Sequence, residues 1–253
     1  MGDGATITFL GTGDAFGSGG RLQTCFHVRT RDAAFLIDCG ATACIAMKRA
    51  GLTHDDVDAV MLSHYHADHF AGLPFLIIEG RAVGRSGPLA VAGPAGIRER
   101  LREAMEVLFP GAGEKMPPFP IEYYEYGDTS AATIAVESST VTTWPVPHAP
   151  ATQPHALRIE TGGRIIAFSG DTQWNEDLIE VARGADLFIC ELAGFDGPAG
   201  IHLDYPTLLH HRASFDCGQF IVTHMGQAVL DNAATVAAGL NATLAFDGMT
   251  VTI

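Results

Sequence analysis

The sequence predicts a single-domain α/β fold over residues 1–253, on three observations. Apolar, β-branched runs recur along the chain, segments of helical composition fall between them, and the order of the first half returns in the second. Apolar residues make up 47% of the chain and charged residues 17%, which supports a large core and excludes disorder. Although 253 residues exceed the usual domain size, no composition break marks a boundary.

In chain order, Ala5–Leu10, Cys25–Thr30, Ala34–Asp38 and Val57–Ser63 read as strands, each bounded by Gly, Asp or a polar turn. Ala41–Ala50 reads as a helix closed by Gly51, and His69–Gly80 and Gly96–Phe109 as further helices. Four prolines and two glycines between Pro110 and Pro120 mark an exposed connection, too short for a domain linker. Strands follow at Thr133–Glu137, Thr140–Pro145, His155–Glu160 and Arg164–Ser169, then a helix at Asn175–Ala182 and a strand at Leu187–Glu191. Helices near Tyr205–Ala213 and Ala233–Leu240, with strands Gln219–Thr223 and Thr250–Ile253, complete the pattern.

Fifteen basic against twenty-nine acidic residues give a net charge of −14, the wrong sign for general attraction to nucleic acid or anionic lipid. An anionic substrate must therefore be drawn by a local positive charge. The five cysteines form no C-x-x-C pair and sit mostly in apolar surroundings, so they read as reduced and buried. With no secretory pattern and no bilayer-length apolar run, the expectation is a cytoplasmic protein without membrane contact.

The chemistry concentrates where the apolar run Val57–Ser63 ends. His64, His66, Asp68 and His69 give four potential ligands within six residues. Alternate side chains of such a loop let His64 and His66 share one ion while Asp68 and His69 turn toward a second. Imidazole nitrogen with carboxylate oxygen suits zinc, iron or manganese better than magnesium or calcium. An isolated loop histidine is usually only a polar surface residue, but this crowding is not explained that way.

The run His64-Tyr65-His66-Ala67-Asp68-His69 resembles the H-x-H-x-D-H motif of the metallo-β-lactamase superfamily, which implies a four-layer αββα sandwich with metals at one edge. Asp68-His69-Phe70-Ala71-Gly72-Leu73-Pro74 is similar to the D-H-x-x-G-L-P string of its ribonuclease Z and phosphodiesterase branch. Leu10-Gly11-Thr12-Gly13-Asp14-Ala15-Phe16 and Leu36-Ile37-Asp38-Cys39-Gly40 resemble the same branch. The resemblance places His64, His66, His148 and shared Asp171 on one ion, and Asp68, His69, His224 and shared Asp171 on the other. It implies two divalent transition ions, zinc first, with manganese or iron as alternatives. An aspartate at position 171, where antibiotic-hydrolysing members commonly carry cysteine, argues against β-lactamase activity.

Asp68 and His202 are the expected catalytic residues. The resemblance gives Asp68 the orientation or deprotonation of a metal-bound hydroxide, and His202 the leaving group, although Leu203-Asp204 follows His202 where the family often has a hydroxyl residue. Asp38 is a candidate to orient a histidine ligand and Asp14 to lie near the metals, while the glycines of residues 11–20 lack both a dinucleotide fingerprint and a P-loop ending. His155 reads as a polar loop residue, His210 and His211 as helix residues without a role, and His27 and His54 give no signal.

The branch implies a phosphodiesterase acting on small diesters or cyclic phosphates, as a homodimer. Processing of tRNA fits less well, because the interval from His148 to Asp171 leaves room only for a hairpin where ribonuclease Z enzymes commonly carry a tRNA-gripping arm. Lactone or thioester hydrolysis on the same site is the enzymatic alternative, and a non-catalytic metal-binding module the alternative of another class.

Overall fold

Strand β3 (Ala34–Ile37) shows how this sequence builds layers. All four of its residues are buried, yet Phe35 and Ile37 face one hydrophobic cluster and Leu36 another, as the two-residue period of a strand requires when both sheet faces are covered. The computed structural model describes residues 4–115, 117–197 and 199–253.

β1 (Thr6–Gly11), β2 (Cys25–Arg29) and β3 pair antiparallel. Helical crossovers then add parallel strands: α1 (Ala43–Arg49) leads to β4 (Ala59–Met61), α2 (Ala67–Phe70) and α3 (Gly72–Val83) to β5 (Leu89–Gly93), and α4 (Ile97–Leu108) to β6 (Ile121–Glu125). The second half repeats this plan. β7 (Ala132–Val136), β8 (Ser139–Pro145), β9 (His155–Thr161) and β10 (Arg164–Phe168) run antiparallel. α5 (Asp177–Ala182) leads to a parallel β11 (Ala185–Glu191), α6 (Tyr205–His211) to β12 (Cys217–Thr223), and α7 (Gln227–Asp231) with α8 (Ala233–Leu240) to β13 (Thr243–Leu244). The last strand, β14 (Thr250–Thr252), crosses back to pair with β1, giving sheet orders 14-1-2-3-4-5-6 and 13-12-11-10-9-8-7.

The two sheets face each other across a core in which the Phe26 ring lies 5.0 Å from Phe9 and 5.4 Å from Phe168 of the opposite sheet. Outside them, α1, α3 and α4 cover the first sheet and α5, α6 and α8 the second. This is the αββα sandwich of the metallo-β-lactamase fold, as the resemblance implied.

The helix expected over 69–80 is instead broken, with α2 ending at Phe70 and α3 beginning at Gly72. The break follows from close approach: a Cβ on Gly72 would stand 2.1 Å from the Gly40 carbonyl oxygen, and one on Gly40 2.3 Å from that of Asp68. Only two facing glycines let the metal-binding loop sit this tightly on the chain after β3. Strands β5, β6 and β13 and helix α7 were not anticipated. The connection expected from Pro110 to Pro120, of which residue 116 lies outside the described residues, runs directly into β6.

Candidate metal centre

Strand ends deliver four of the donors. His64 follows β4, His148 follows β8, Asp171 follows β10 and His224 follows β12, so one edge of the sandwich collects them. His66 precedes α2, and Asp68 and His69 lie within it.

The geometry gives two donor sets. His66 Nδ1 lies 3.1 Å from both His64 Nε2 and His148 Nε2, and Asp171 Oδ2 lies 3.8 Å from the former and 3.9 Å from the latter. In the second set, His69 Nε2 is 3.2 Å from Asp68 Oδ2 and from Asp171 Oδ2, while His224 Nε2 is 3.2 and 3.3 Å from the same two oxygens. Ligand bonds of 2.0–2.1 Å in a tetrahedron place donors about 3.3–3.4 Å apart, a spacing these distances bracket. Asp171 Oδ2 faces both sets, as a bridging carboxylate must. His69 Nε2 and Asp171 Oδ1 are buried without a hydrogen-bond partner, which fits atoms reserved for cations.

Neighbouring groups fix which imidazole nitrogen is free. His69 Nδ1 donates to Asp38 Oδ2 at 2.6 Å, and Asp38 also accepts from the Ser63 amide at 2.6 Å and Ser63 Oγ at 2.8 Å. Ser63 Oγ lies 3.0 Å from His64 Nδ1, and His148 Nδ1 donates to the Ile201 carbonyl at 2.9 Å. Each contact leaves Nε2 with its lone pair toward the site. The expectation that Asp38 orients a histidine is thus met. The Asp14 carboxylate accepts from the Phe16 amide, the Ser18 amide and Ser18 Oγ, shaping its own loop.

Burial lowers His64 well below the usual histidine range, with His69 adding to the effect, and lowers His148 to about 4. These rings are neutral and ready to ligate. Burial works in the same direction on His69 and His224, but Asp171 and the neighbouring carboxylates overcome it, raising His69 well above its ordinary value and His224 to about 9. Asp68 and Asp171 are held far below the carboxylate range, despite burial, by the facing histidines. The second donor set therefore favours positive charge, which a divalent ion supplies.

His202 lies alongside, on the segment between β11 and α6. Its Nδ1 is 3.0 Å from Glu191 Oε1 and 3.9 Å from Asp171 Oδ2. Glu191, fully buried at the end of β11, also accepts from the Thr172 amide at 2.7 Å. Burial raises Glu191; burial lowers His202, but the Glu191 contact outweighs it and leaves His202 raised. The sequence reading gave Glu191 no role, though an acid closing the apolar strand Ala185–Glu191 was the available signal. His155 is not a loop residue: it opens β9, is buried, and stands edge-on to Tyr126. His210 and His211 do fall in α6, with His211 stacked on Trp174. Buried His27 bonds the Asp56 carbonyl, away from the cluster.

Among the described residues, His64, His66, His148 and Asp171 form one group able to hold a metal ion, and Asp68, His69, Asp171 and His224 another. The cluster fits the site of a metal-dependent hydrolase. No helix among those residues is long and apolar enough to cross a membrane.

Known proteins share this fold and parts of this sequence. The ribonuclease Z of Mycobacterium bovis is 30% identical over 193 residues, covering 72% of this chain and 68% of that protein. The metallo-β-lactamase fold protein YhfI from Bacillus subtilis superposes with a TM-score of 0.82 at 19% identity, covering 100% of both chains. The short form of human tRNase Z gives 0.78 at 22% identity over 97% of this chain and 98% of that one, and a diphosphatase of the PhnP family 0.75 at 18% over 98% and 97%. The family model described as anti-Pycsar protein Apyc1 matches residues 5–238, and the chain belongs to that family.

Proposed function

We propose that this protein hydrolyses small phosphodiesters or cyclic phosphates with two transition ions, zinc first, held by His64, His66, His148 and Asp171 on one side and Asp68, His69, His224 and Asp171 on the other. The single observation that carries the reading is the placement of Asp171 Oδ2 within 4 Å of four ligand histidines and of His202, itself braced by Glu191. When bound, the ions supply Lewis acidity and lower the pKa of a coordinated water.

The residues around that centre divide the remaining work. Asp68 orients the attacking water and accepts its proton as the new P–O bond forms. His202, with Nδ1 held by Glu191, keeps Nε2 for the departing oxygen and donates the proton that oxygen needs as its bond to phosphorus breaks. Glu191 stabilises the charged imidazole and fixes its tautomer.

Substrate size is argued from the chain between His148 and Asp171. It holds the short helical turn Pro150–Thr152 and the hairpin of β9 and β10, closed by Gly162 and Gly163 with both φ positive, a two-residue turn with no arm for a folded RNA. The net charge of −14 supplies no compensating attraction. Processing of tRNA is the competing reading, in keeping with the name ribonuclease Z of the relatives, and lactone or thioester cleavage the other. The anti-Pycsar role in the family's description comes to this chain as part of the same proposal, as do its cytoplasmic location and homodimer. Phe75, Val83, Val107 and Leu108 on α3 and α4 are exposed apolar side chains that support a paired state.

The test is a panel with metal-loaded protein: a cyclic nucleotide, a chromogenic phosphodiester, a lactone, a thioester and a precursor tRNA. Preferential cleavage of the small phosphorus substrates is the expected result. Cleavage of the lactone, the thioester or the RNA alone overturns the reading.

A further inference from the structure

His224 differs from His64, His69 and His148 in how its ring is held. His69, His64 and His148 each engage Nδ1 with Asp38, Ser63 or the Ile201 carbonyl, but His224 Nδ1 is buried with no partner. Apart from Nε2, 3.2 Å from Asp68 Oδ2, and stacking on His69 and His202, its orientation follows from its backbone. That backbone is itself unusual, with φ at +53°, a left-handed conformation that a side-chain-bearing residue adopts only when its surroundings impose it.

The imposing contact is traceable. The His224 amide donates to the Thr12 carbonyl at 3.1 Å, and Thr223 Oγ1 donates to the same oxygen at 3.4 Å. Thr12, fully buried, is fixed by Asp247: the Thr12 amide and Oγ1 both donate to Asp247 Oδ1, at 3.0 and 2.8 Å, and the Leu22 amide donates to Oδ2 at 2.7 Å. Arg21 Nη1 donates to Thr12 Oγ1 at 3.0 Å from the other side. Without Asp247, the Thr12 amide and hydroxyl lose their shared acceptor, a cost that favours movement of the segment.

We infer that Asp247 is the positioning residue for His224, acting through Thr12 to set the second donor set from outside it. Asp247 lies beyond residue 238, where the family match ends, and its hydrogen bonds go to Thr12 and Leu22. The inference rests on the metal reading above for its effect on ion binding, but the backbone link to His224 stands without it.

Two measurements test it. In the first, chelator-stripped protein is titrated with zinc against a competing indicator. Asp247→Ala should weaken one of the two binding steps by about 10–100-fold and leave the other within about twofold. Asp247→Asn, which keeps an oxygen for both Thr12 donors but loses the Leu22 acceptor, should show a smaller loss confined to the same step. The second is hydrogen exchange of the His224 amide in stripped protein, which should quicken by more than about tenfold in Asp247→Ala while β9 and β10 keep their protection. Equal weakening of both steps, or unchanged exchange and binding in a folded variant, overturns the inference. Should Asp247→Ala fail to fold, the Asn variant decides by the same criteria. Should the unmodified protein bind no zinc, the metal reading fails, and the exchange comparison alone still decides the role of Asp247.

Discussion

Asp38 Oδ2 lies 2.6 Å from His69 Nδ1, and neither side chain is exposed. The same carboxylate holds Ser63, whose hydroxyl touches His64, so one buried acid braces a histidine of each donor set. Asp38→Asn preserves shape and tolerates the positive φ of 57°, but it offers an amide in place of one carboxylate oxygen. Zinc affinity should fall about 10–100-fold, read by competition with an indicator, with little change in the stripped protein's secondary structure. Unchanged affinity would remove Asp38 from the site.

The Glu191–His202 pair should govern turnover without governing metal content. His202→Ala and Glu191→Gln are each expected to lower kcat by about 10²–10⁴-fold on a diester with a poor leaving group. The loss should be much smaller on a nitrophenyl ester, whose leaving group needs no proton. Metal analysis should show both variants as fully loaded as the parent; loss of metal would make His202 a ligand instead.

Gly72→Ala tests the close packing under the metal loop. Its new Cβ would meet the Gly40 carbonyl at 2.1 Å, a clash with backbone that no side-chain rotation relieves. Overpacking of this kind costs about 1–3 kcal/mol, occasionally more, and here it should also displace Asp68 and His69. A lowered thermal midpoint together with weakened zinc binding is expected. A neutral outcome would show that the loop has room the glycine pair does not require.

Acid sensitivity should have a component away from the metals. Burial depresses His27 below its ordinary value of 6.5. A depressed folded pKa means that the unfolded chain takes up the proton first, so the associated stability is present above about 6.5 and is lost as pH falls toward the folded value. In stripped protein, His27→Gln, whose amide can still reach the Asp56 carbonyl, should flatten the fall in thermal midpoint between about pH 7 and 5.5. A fall as steep as the parent's would assign it to other groups.

How far the sequence foretold these features varied with the kind of physics involved. Strands such as Ala34–Ile37 and Arg164–Phe168 were legible because continuous apolar runs bounded by turns have few other uses. Leu89–Gly93 was not, since its alanines and glycine carry little β-propensity and it forms a strand only between β4 and β6. Thr243–Leu244 is two residues long and exists only through pairing with β12. Within the site, His64, His66, Asp68 and His69 stood out because they crowd one loop, and His148, Asp171 and His224 through the resemblance. Glu191 closes an apolar strand, but Asp247 gave no signal, because its meaning lies in Thr12, 235 residues away.

The proposed function, two donor sets sharing Asp171 that hold metal for phosphodiester hydrolysis, is tested by metal content from mass spectrometry on protein purified without chelator, paired with cyclic-nucleotide hydrolysis before and after chelation. About two transition ions per chain are expected, with activity lost on stripping and restored by zinc or manganese. Less than about one tightly bound ion per chain at neutral pH, or a phosphodiester left intact by loaded enzyme that cleaves a lactone, would contradict it.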